Sequence, residues 1–322
     1  MKKKSNILQN QRLKRQTLKN QRLKTQTLKN QRLKRQTLKI QRLKKQNNLI
    51  KRNIIKRNKL QKGGYLEDMP QICFGTAQNN LKKTLSLALE IGYRHIDCAD
   101  AYGGNTYKTI IKDAIKIIPR EKLWITWKSS SIDDGLIPKI IEQLDCGYID
   151  LFLIHFGCGK PEDFDTLKQA QTEGLIRFFG VSNCENIETI RELKINHNIY
   201  ANQIQARPPH GTIANRKQIS ENFIENCNDL DVKIMLFGTI SGIQNQTENF
   251  EYFDYLKDIN AYYIQKYIKG TNNVLIISSI SGSSLKTNLD DINKILNEED
   301  LLSDEQMIEI EKKISNIKLS YQ

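Results

Sequence analysis

Four side chains of this chain stand where apolar runs end, and their types could do chemistry together. The stretch GYRHIDCADAYGGN, residues 92–105, carries Asp97, Asp100 and Tyr102 behind a strand-like run. Lys128 directly follows LWITW (123–127), and His155 closes LFLIH (151–155). A phenol, with an ordinary pKa near 10, is a poor proton donor at neutral pH unless its phenolate is stabilised. A nearby ammonium provides that, and a carboxylate paired with the ammonium keeps it charged and aimed. A neutral imidazole adds a hydrogen bond to a carbonyl oxygen. Together, Asp97, Tyr102, Lys128 and His155 would form a general-acid device that polarises a C=O group and protonates the developing alkoxide. No side chain supplies hydride, so reduction of that carbonyl needs a cofactor. Asp100 reads as a solvated loop charge and His95 as a core-facing histidine.

The elements must bring these residues to one place. From Met69 onward, β-branched runs alternate with helical patterns. The strand candidates are 72–74, 94–97, 123–127, 151–155, 178–182, 201–205, 233–237 and 274–278. Helical patterns lie between them, among them LKKTLSLALEI (81–91), GLIPKIIEQL (135–144), IETIRELKINH (187–197), INAYYIQKYIKG (259–270) and SSLKTNLDDINKIL (283–296). Strict alternation implies a parallel sheet covered by helices. Eight repeats suit a closed (β/α)8 TIM barrel, usually about 250 residues long. A doubly wound open sheet is the alternative, weakened because no strand is followed by a GxGxxG turn. In a barrel, site residues belong at the carboxyl ends of strands. Asp97, Lys128, His155, Ser182, Asn183 and Phe237 fall there, and Gln203 lies within the sixth strand. Alternation along the strands allows Asp97, Lys128 and His155 to point into the mouth together.

With those positions in view, the body resembles the aldo-keto reductases, (β/α)8 barrels that reduce carbonyls with a nicotinamide cofactor. GYRHIDCADAYG is similar to the family segment holding the catalytic Asp and Tyr, here Asp97 and Tyr102. LWITWKSS resembles the segment of the catalytic lysine, Lys128, and YIDLFLIHF that of the histidine, His155. IRFFGVSN resembles the segment whose Ser and Asn bind the nicotinamide carboxamide, which implies Ser182 and Asn183. NQIQ resembles the segment that adds Gln203, and Phe237 stands where the family stacks an aromatic on the nicotinamide. MPQICFGT resembles the first strand, whose end at Gly75 and Thr76 touches the cofactor. Ser279 and Asn288 are the implied contacts near the adenosine. The resemblance spans roughly residues 68–300 and implies NADPH as cofactor, a small-molecule carbonyl substrate and a monomer.

Three departures modify those expectations. Only FGCGK separates His155 from the next helix, where the family has a long loop, so a shallow, open pocket is expected. The stretch after Phe237 is short, which implies a reduced cofactor-covering loop. Serines (Ser278 and Ser284) fall where the family often has a lysine and an arginine for the 2′-phosphate, leaving Lys286 nearby, so NADH is also admissible.

Composition separates two physical objects. Residues 1–62 hold 23 Lys or Arg and no acidic residue; of 50 basic residues in all, the remaining 27 face all 36 acidic ones. The tail repeats NQRLKRQTLK, with leucines five residues apart at 13, 18, 23, 28, 33, 38 and 43. A five-residue step spirals around a helix, and in a strand it alternates faces, so neither element buries the pattern. A disordered basic tail (1–62) ahead of the barrel (63–322) is expected. The tail could attach to nucleic acid or another polyanion by neutralising phosphates. A different reading of the whole chain is a catalytically weak nucleotide-binding barrel acting as a partner or sensor, attached through that tail. Six cysteines, at 73, 98, 146, 158, 184 and 227, show no CxxC or zinc-ligand spacing, so reduced, scattered thiols are expected. Cys73, Cys98 and Cys184 read as small packing residues. No run of about 18 apolar residues and no apolar leader at the start occur, so no membrane span, no secretory signal and a cytoplasmic location are expected.

Overall fold

The computed structural model of the chain describes residues 66–133, 135–206, 221–239, 261–277, 282–297 and 302–316. The chain divides into two units, Met1–Gly63 and Gly64–Gln322. The first, with every expectation placed on the basic tail, lies outside the described residues, as do Ser278, Ser279 and the segment just after the seventh strand.

Eight parallel strands close into a barrel in chain order: β1 (Ile72–Gly75), β2 (His95–Ala99), β3 (Trp124–Ser129), β4 (Ile149–Ile154), β5 (Ile176–Ser182), β6 (Ala201–Gln205), β7 (Lys233–Phe237) and β8 (Val274–Ile277). The ring closes where β1 pairs with β8. This is the (β/α)8 architecture that the alternation implied, and the open sheet is excluded.

The helices form for local reasons. Helix α1 (Leu81–Ile91) buries Leu81, Thr84, Leu85, Ala88 and Leu89, one face of a 3.6-residue repeat. Each buried leucine stabilises the packing by about 2 kcal/mol. The helix stops at Gly92, whose φ of 118° lies in the left-handed region that favours glycine. Helices α2 (Asn105–Ile115) and α3 (Leu136–Leu144) follow β2 and β3. Helix α4 (Pro161–Thr172) starts on a proline, and the Asp163 carboxylate accepts from the Lys160 N–H at 2.8 Å. Helix α5 (Ile187–His197) is capped by Asn186, whose side chain accepts from the Thr189 N–H at 3.0 Å. Helix α6 (Glu221–Asp229) precedes β7, and α7 (Gly282–Asn297) follows β8. The pattern at 259–270 is helical from residue 261, with π-helical geometry over Ile264–Ile268. A last helix, α8 (Asp304–Asn316), was not anticipated.

Two apolar layers result. The larger lies between strands and helices; the smaller fills the barrel with Met69, Cys73, Trp124, Leu151, Leu153, Ala201, Met235, Val274 and Ile276. Gly180 lets β5 approach β6, since a Cβ there would sit 2.0 Å from the Ala201 carbonyl oxygen. At the amino end of the barrel, Asp150 accepts from Arg120 at 2.6 Å, Arg177 at 2.7 Å and the Ile125 N–H at 2.9 Å. Arg177 also donates to the Leu66 carbonyl at 3.0 Å, which ties down the segment entering β1.

Candidate active site

The strand register determines which side chains meet. Asp97 on β2 pairs with Thr126 on β3, and Lys128 on β3 pairs with Leu153 on β4. Alternation then carries Asp97 and Lys128 toward the barrel axis at its carboxyl end, with Gln203 of β6 across from them. The Lys128 ammonium is fully buried, forms an ion pair with Asp97 Oδ2, and donates to Gln203 Oε1 at 2.7 Å. Gln203 Nε2 donates to Asp97 Oδ1 at 2.7 Å, closing a ring of three side chains. An ammonium has three protons and no lone pair, so it donates to both Asp97 and Gln203. The Tyr102 phenol lies close by, with the Lys128 ammonium 5.1 Å from the centre of its ring, near enough for the two groups to shift each other's pKa.

Burial works against the Lys128 charge, but Asp97 and Tyr102 beside it outweigh burial and raise its pKa above the lysine value. Burial and the Asp97 charge push the Tyr102 phenol up to about 12, against the opposing pull of Lys128. The ammonium alone would favour the phenolate, but here desolvation and the Asp97 charge raise the phenol's pKa further than Lys128 lowers it. The phenol is thus a protonated donor at rest.

Tyr102 sits on a 3-10 turn, Asp100–Tyr102, at the end of β2. Asp100, read as a solvated charge, instead holds that turn in place. Its carboxylate accepts from the Trp127 indole at 3.3 Å and pairs with Lys108 at 3.1 Å. His155 follows β4 directly and meets the Tyr102 ring edge-on, with centroids 5.9 Å apart. Burial, then the Lys128 charge, holds its pKa near 4, so the imidazole is neutral. Its Nδ1 is buried without a hydrogen-bond partner among the described residues. Phe156 stacks on the imidazole at 4.1 Å with more than half its surface exposed. His95 is a core residue, bridging the Pro70 carbonyl at 3.0 Å and the Thr126 hydroxyl at 2.9 Å.

The candidate cofactor contacts flank this set. Ser182 ends β5, and Asn183, next to it, adopts a left-handed φ of 64°. Asn183 donates from its N–H to the Gln203 carbonyl at 2.7 Å, and from Nδ2 to the Ser182 hydroxyl at 3.0 Å and the His155 carbonyl at 3.2 Å. Gly75 ends β1 opposite Asp97. Thr76 is buried, donates to the Asp97 carbonyl at 2.6 Å and meets the Tyr107 hydroxyl at 2.5 Å, so here it supports Asp97. Phe237 closes β7, half-buried against the barrel interior. Asn288 is half-buried on α7, and Lys286 is exposed on the same helix.

Sequence reading missed one covalent feature. Cys158 and Cys184 form a disulfide with Cα atoms 4.8 Å apart, so the expectation of reduced thiols fails at these two positions. Their placement was the available signal: each follows the end of one of two adjacent strands, β4 and β5, by a few residues. Cys73, Cys98, Cys146 and Cys227 are free and buried.

A parallel eight-stranded barrel with an Asp–Lys–Tyr–His cluster at its mouth defines the class as a (β/α)8 fold with ionisable side chains gathered at the carboxyl ends of its strands. Residues 71–253 match the model of the aldo/keto reductase family, and the chain belongs to that family. It is 29% identical over 200 residues to the aldo-keto reductase AKR2E4 of Bombyx mori, covering 52% of this chain and 62% of that one. It is 37% identical over 121 residues to an aldo-keto reductase of Mycobacterium marinum, covering 34% of this chain and 42% of that one. These matches thus span between about two-fifths and three-fifths of the relatives' lengths. Among solved structures, the barrel is similar to an aldose reductase from Giardia lamblia, with a TM-score of 0.60 and 21% identity over 78% of this chain and 93% of that one. An aldo-keto reductase from Klebsiella pneumoniae, solved in complex with NADPH, gives a TM-score of 0.62 and 16% identity over 77% of this chain and 92% of that one. At such identities the likeness is one of fold.

Proposed function

We propose that the chain reduces an aldehyde or ketone to an alcohol with a nicotinamide cofactor, and that Tyr102 donates the proton. The observation that carries this reading is the Lys128 ammonium, fully buried against Asp97 and Gln203 and 5.1 Å from the centre of the Tyr102 ring. It places a fixed positive charge beside the ring on which a phenolate would form. The neutral His155 imidazole presents a second donor, so a carbonyl oxygen set between Tyr102 and His155 would be polarised from two sides. As the oxygen gains charge it takes the Tyr102 proton, and Lys128 stabilises the phenolate left behind. Asp97 keeps Lys128 charged, and its own chain position is held by Thr76.

The residues present fit a carboxamide-bearing ring. Ser182, Asn183 and Gln203 stand side by side at the mouth, and Gln203 uses one amide proton and one carbonyl lone pair within the Asp97–Lys128 ring, leaving one of each. Ser182 accepts from Asn183, which leaves its O–H to donate. A reduced nicotinamide, when bound, supplies the hydride. Phe237 would cover its ring, and Gly75, Thr76, Ser279 and Asn288 complete the proposed contacts. NADPH is the proposed cofactor, as in the Klebsiella pneumoniae structure. NADH is admissible because Lys286 is the nearby cation in the proposed 2′-phosphate segment. Among the described residues, no helix is long and apolar enough to cross a membrane, and we place the enzyme in the cytoplasm, acting as a monomer.

Aldehyde-dependent oxidation of NADPH and of NADH by the full chain tests this reading. Turnover with either is expected, and absence of turnover with both across short and aromatic aldehydes contradicts it.

A further inference from the structure

We propose that the Cys158–Cys184 disulfide is a reversible strap that positions the barrel mouth, and that a dithiol reductant releases it. For its catalytic readout this inference rests on the carbonyl-reductase reading above. Cys158 stands three residues beyond His155, and Cys184 directly follows Asn183. The bond therefore joins the segment carrying the proposed carbonyl donor to the segment carrying the proposed carboxamide contacts. Two weaker links run alongside it: Gly157 forms an isolated antiparallel bridge with Ser182, and Asn183 Nδ2 donates to the His155 carbonyl at 3.2 Å.

The composition of this connection explains why a covalent tie matters. Only residues 155–160 lie between β4 and α4, and this stretch offers little apolar anchorage. Phe156 is exposed, Gly159 and Lys160 are exposed, and Gly157 and Gly159 hold left-handed φ values of 78° and 77°. Cys158 is the segment's residue that packs against the main core, through its bond to the fully buried Cys184. The strap takes the place that a longer loop would fill by packing.

The two sulfurs are unequally accessible. Cys184 is buried and Cys158 half-buried, so a reductant thiolate reaches the Cys158 sulfur first. That attack forms a mixed disulfide at Cys158, and Cys184 leaves as a thiolate and takes a proton. The reductant's second thiolate then attacks its own bonded sulfur and releases Cys158. One protein disulfide and one dithiol become two protein thiols and one oxidised dithiol; the reverse exchange, from an oxidised thiol pair, remakes the bond. The other four cysteines are buried and do not compete.

The test uses the full chain prepared without reductant, then treated with dithiothreitol, then reoxidised with oxidised glutathione. Alkylation read by mass spectrometry should leave Cys158 unlabelled in the native protein before reduction and label it after; with alkylation in denaturant, Cys184 should follow the same pattern. The NADPH dissociation constant, read by protein fluorescence, should rise on the order of ten-fold on reduction, because the contact segment must then be ordered on binding. The carbonyl kcat/KM should fall in parallel, and both should return on reoxidation. Cys158→Ser should show the reduced values with or without dithiothreitol. Two thiols that stay unpaired after exposure to oxidised glutathione overturn the inference. So does a bond that forms while NADPH affinity stays the same in both states, since a merely stabilising disulfide would shift unfolding alone. A redox-dependent NADPH affinity without turnover in either state supports the strap and contradicts the reductase reading, so the two failures are distinguishable.

Discussion

Replacing Lys128 with methionine removes the charge on which the whole site is organised, and its cost can be worked from the burial of the groups left behind. Lys128 is 0% exposed and Asp97 2%. Without the ammonium, the Asp97 carboxylate remains buried with the Gln203 amide as its remaining side-chain partner in the ring. Removing one member of such a pair costs about 3–5 kcal/mol, most of it the uncompensated charge. Removing both charges, Asp97→Asn with Lys128→Met, leaves no buried charge, and the asparagine carbonyl still accepts from Gln203 Nε2. The double variant should therefore be more stable than the sum of the singles implies, by at least about 2 kcal/mol. Urea unfolding of the full chain at pH 7 measures this, with Trp124 and Trp127 as buried fluorophores. Single costs that add to within about 0.5 kcal/mol would refute the coupling. In the same Lys128→Met protein, carbonyl turnover should drop by roughly 10²–10⁴, the range of a lost acid–base device.

Other outcomes follow from the same geometry. Asp150→Ala strands Arg120 and Arg177 at the amino end of the barrel and should cost about 3 kcal/mol in urea unfolding, the low end for a broken pair because both arginines are one-fifth exposed; a change under about 0.5 kcal/mol contradicts the network. His95 and His155 are both held near pKa 4 in the fold, against about 6.5 in the unfolded chain. Between those values the unfolded chain binds more protons, so stability rises with pH, by up to about 2.7 kcal/mol per unit for two groups, and levels off above about 6.5. A urea midpoint that stays flat from pH 4.5 to 6.5 contradicts this.

The barrel was legible because its signals are periodic and local. α1 and α5 occupy the expected 81–91 and 187–197 because their apolar residues recur at helical spacing, β7 the expected 233–237 because KIMLF is a largely apolar run, and β6 the expected 201–205 although ANQIQ is mostly polar. β4 begins two residues earlier than its apolar run, at Ile149, because Asp150 is a charge that stays inside only with two arginines from other parts of the chain. Such partners are invisible in a local pattern. α8 escaped notice because its buried stripe is thin: Ile310 is buried while Ile308 is exposed. At the site, strand parity brought Asp97, Lys128 and His155 together, and the structure adds the Gln203 link that closes the ring. The direction of the Tyr102 shift was not legible, because it depends on how deeply the phenol is buried. The role of Asp100 and the pairing of Cys158 with Cys184 depend likewise on which neighbours adjacent strand ends bring within reach.

The central claim is that the Tyr102 hydroxyl supplies the proton to a nicotinamide-reduced carbonyl. Tyr102→Phe deletes that oxygen and little else, since the ring can keep its edge contacts with Tyr107 and His155. Single-turnover oxidation of bound NADPH by an aldehyde, measured beside NADPH affinity, tests it most directly. The account predicts cofactor binding within about two-fold of the unsubstituted chain and turnover lowered by at least about 10². Turnover that survives the substitution unchanged contradicts it.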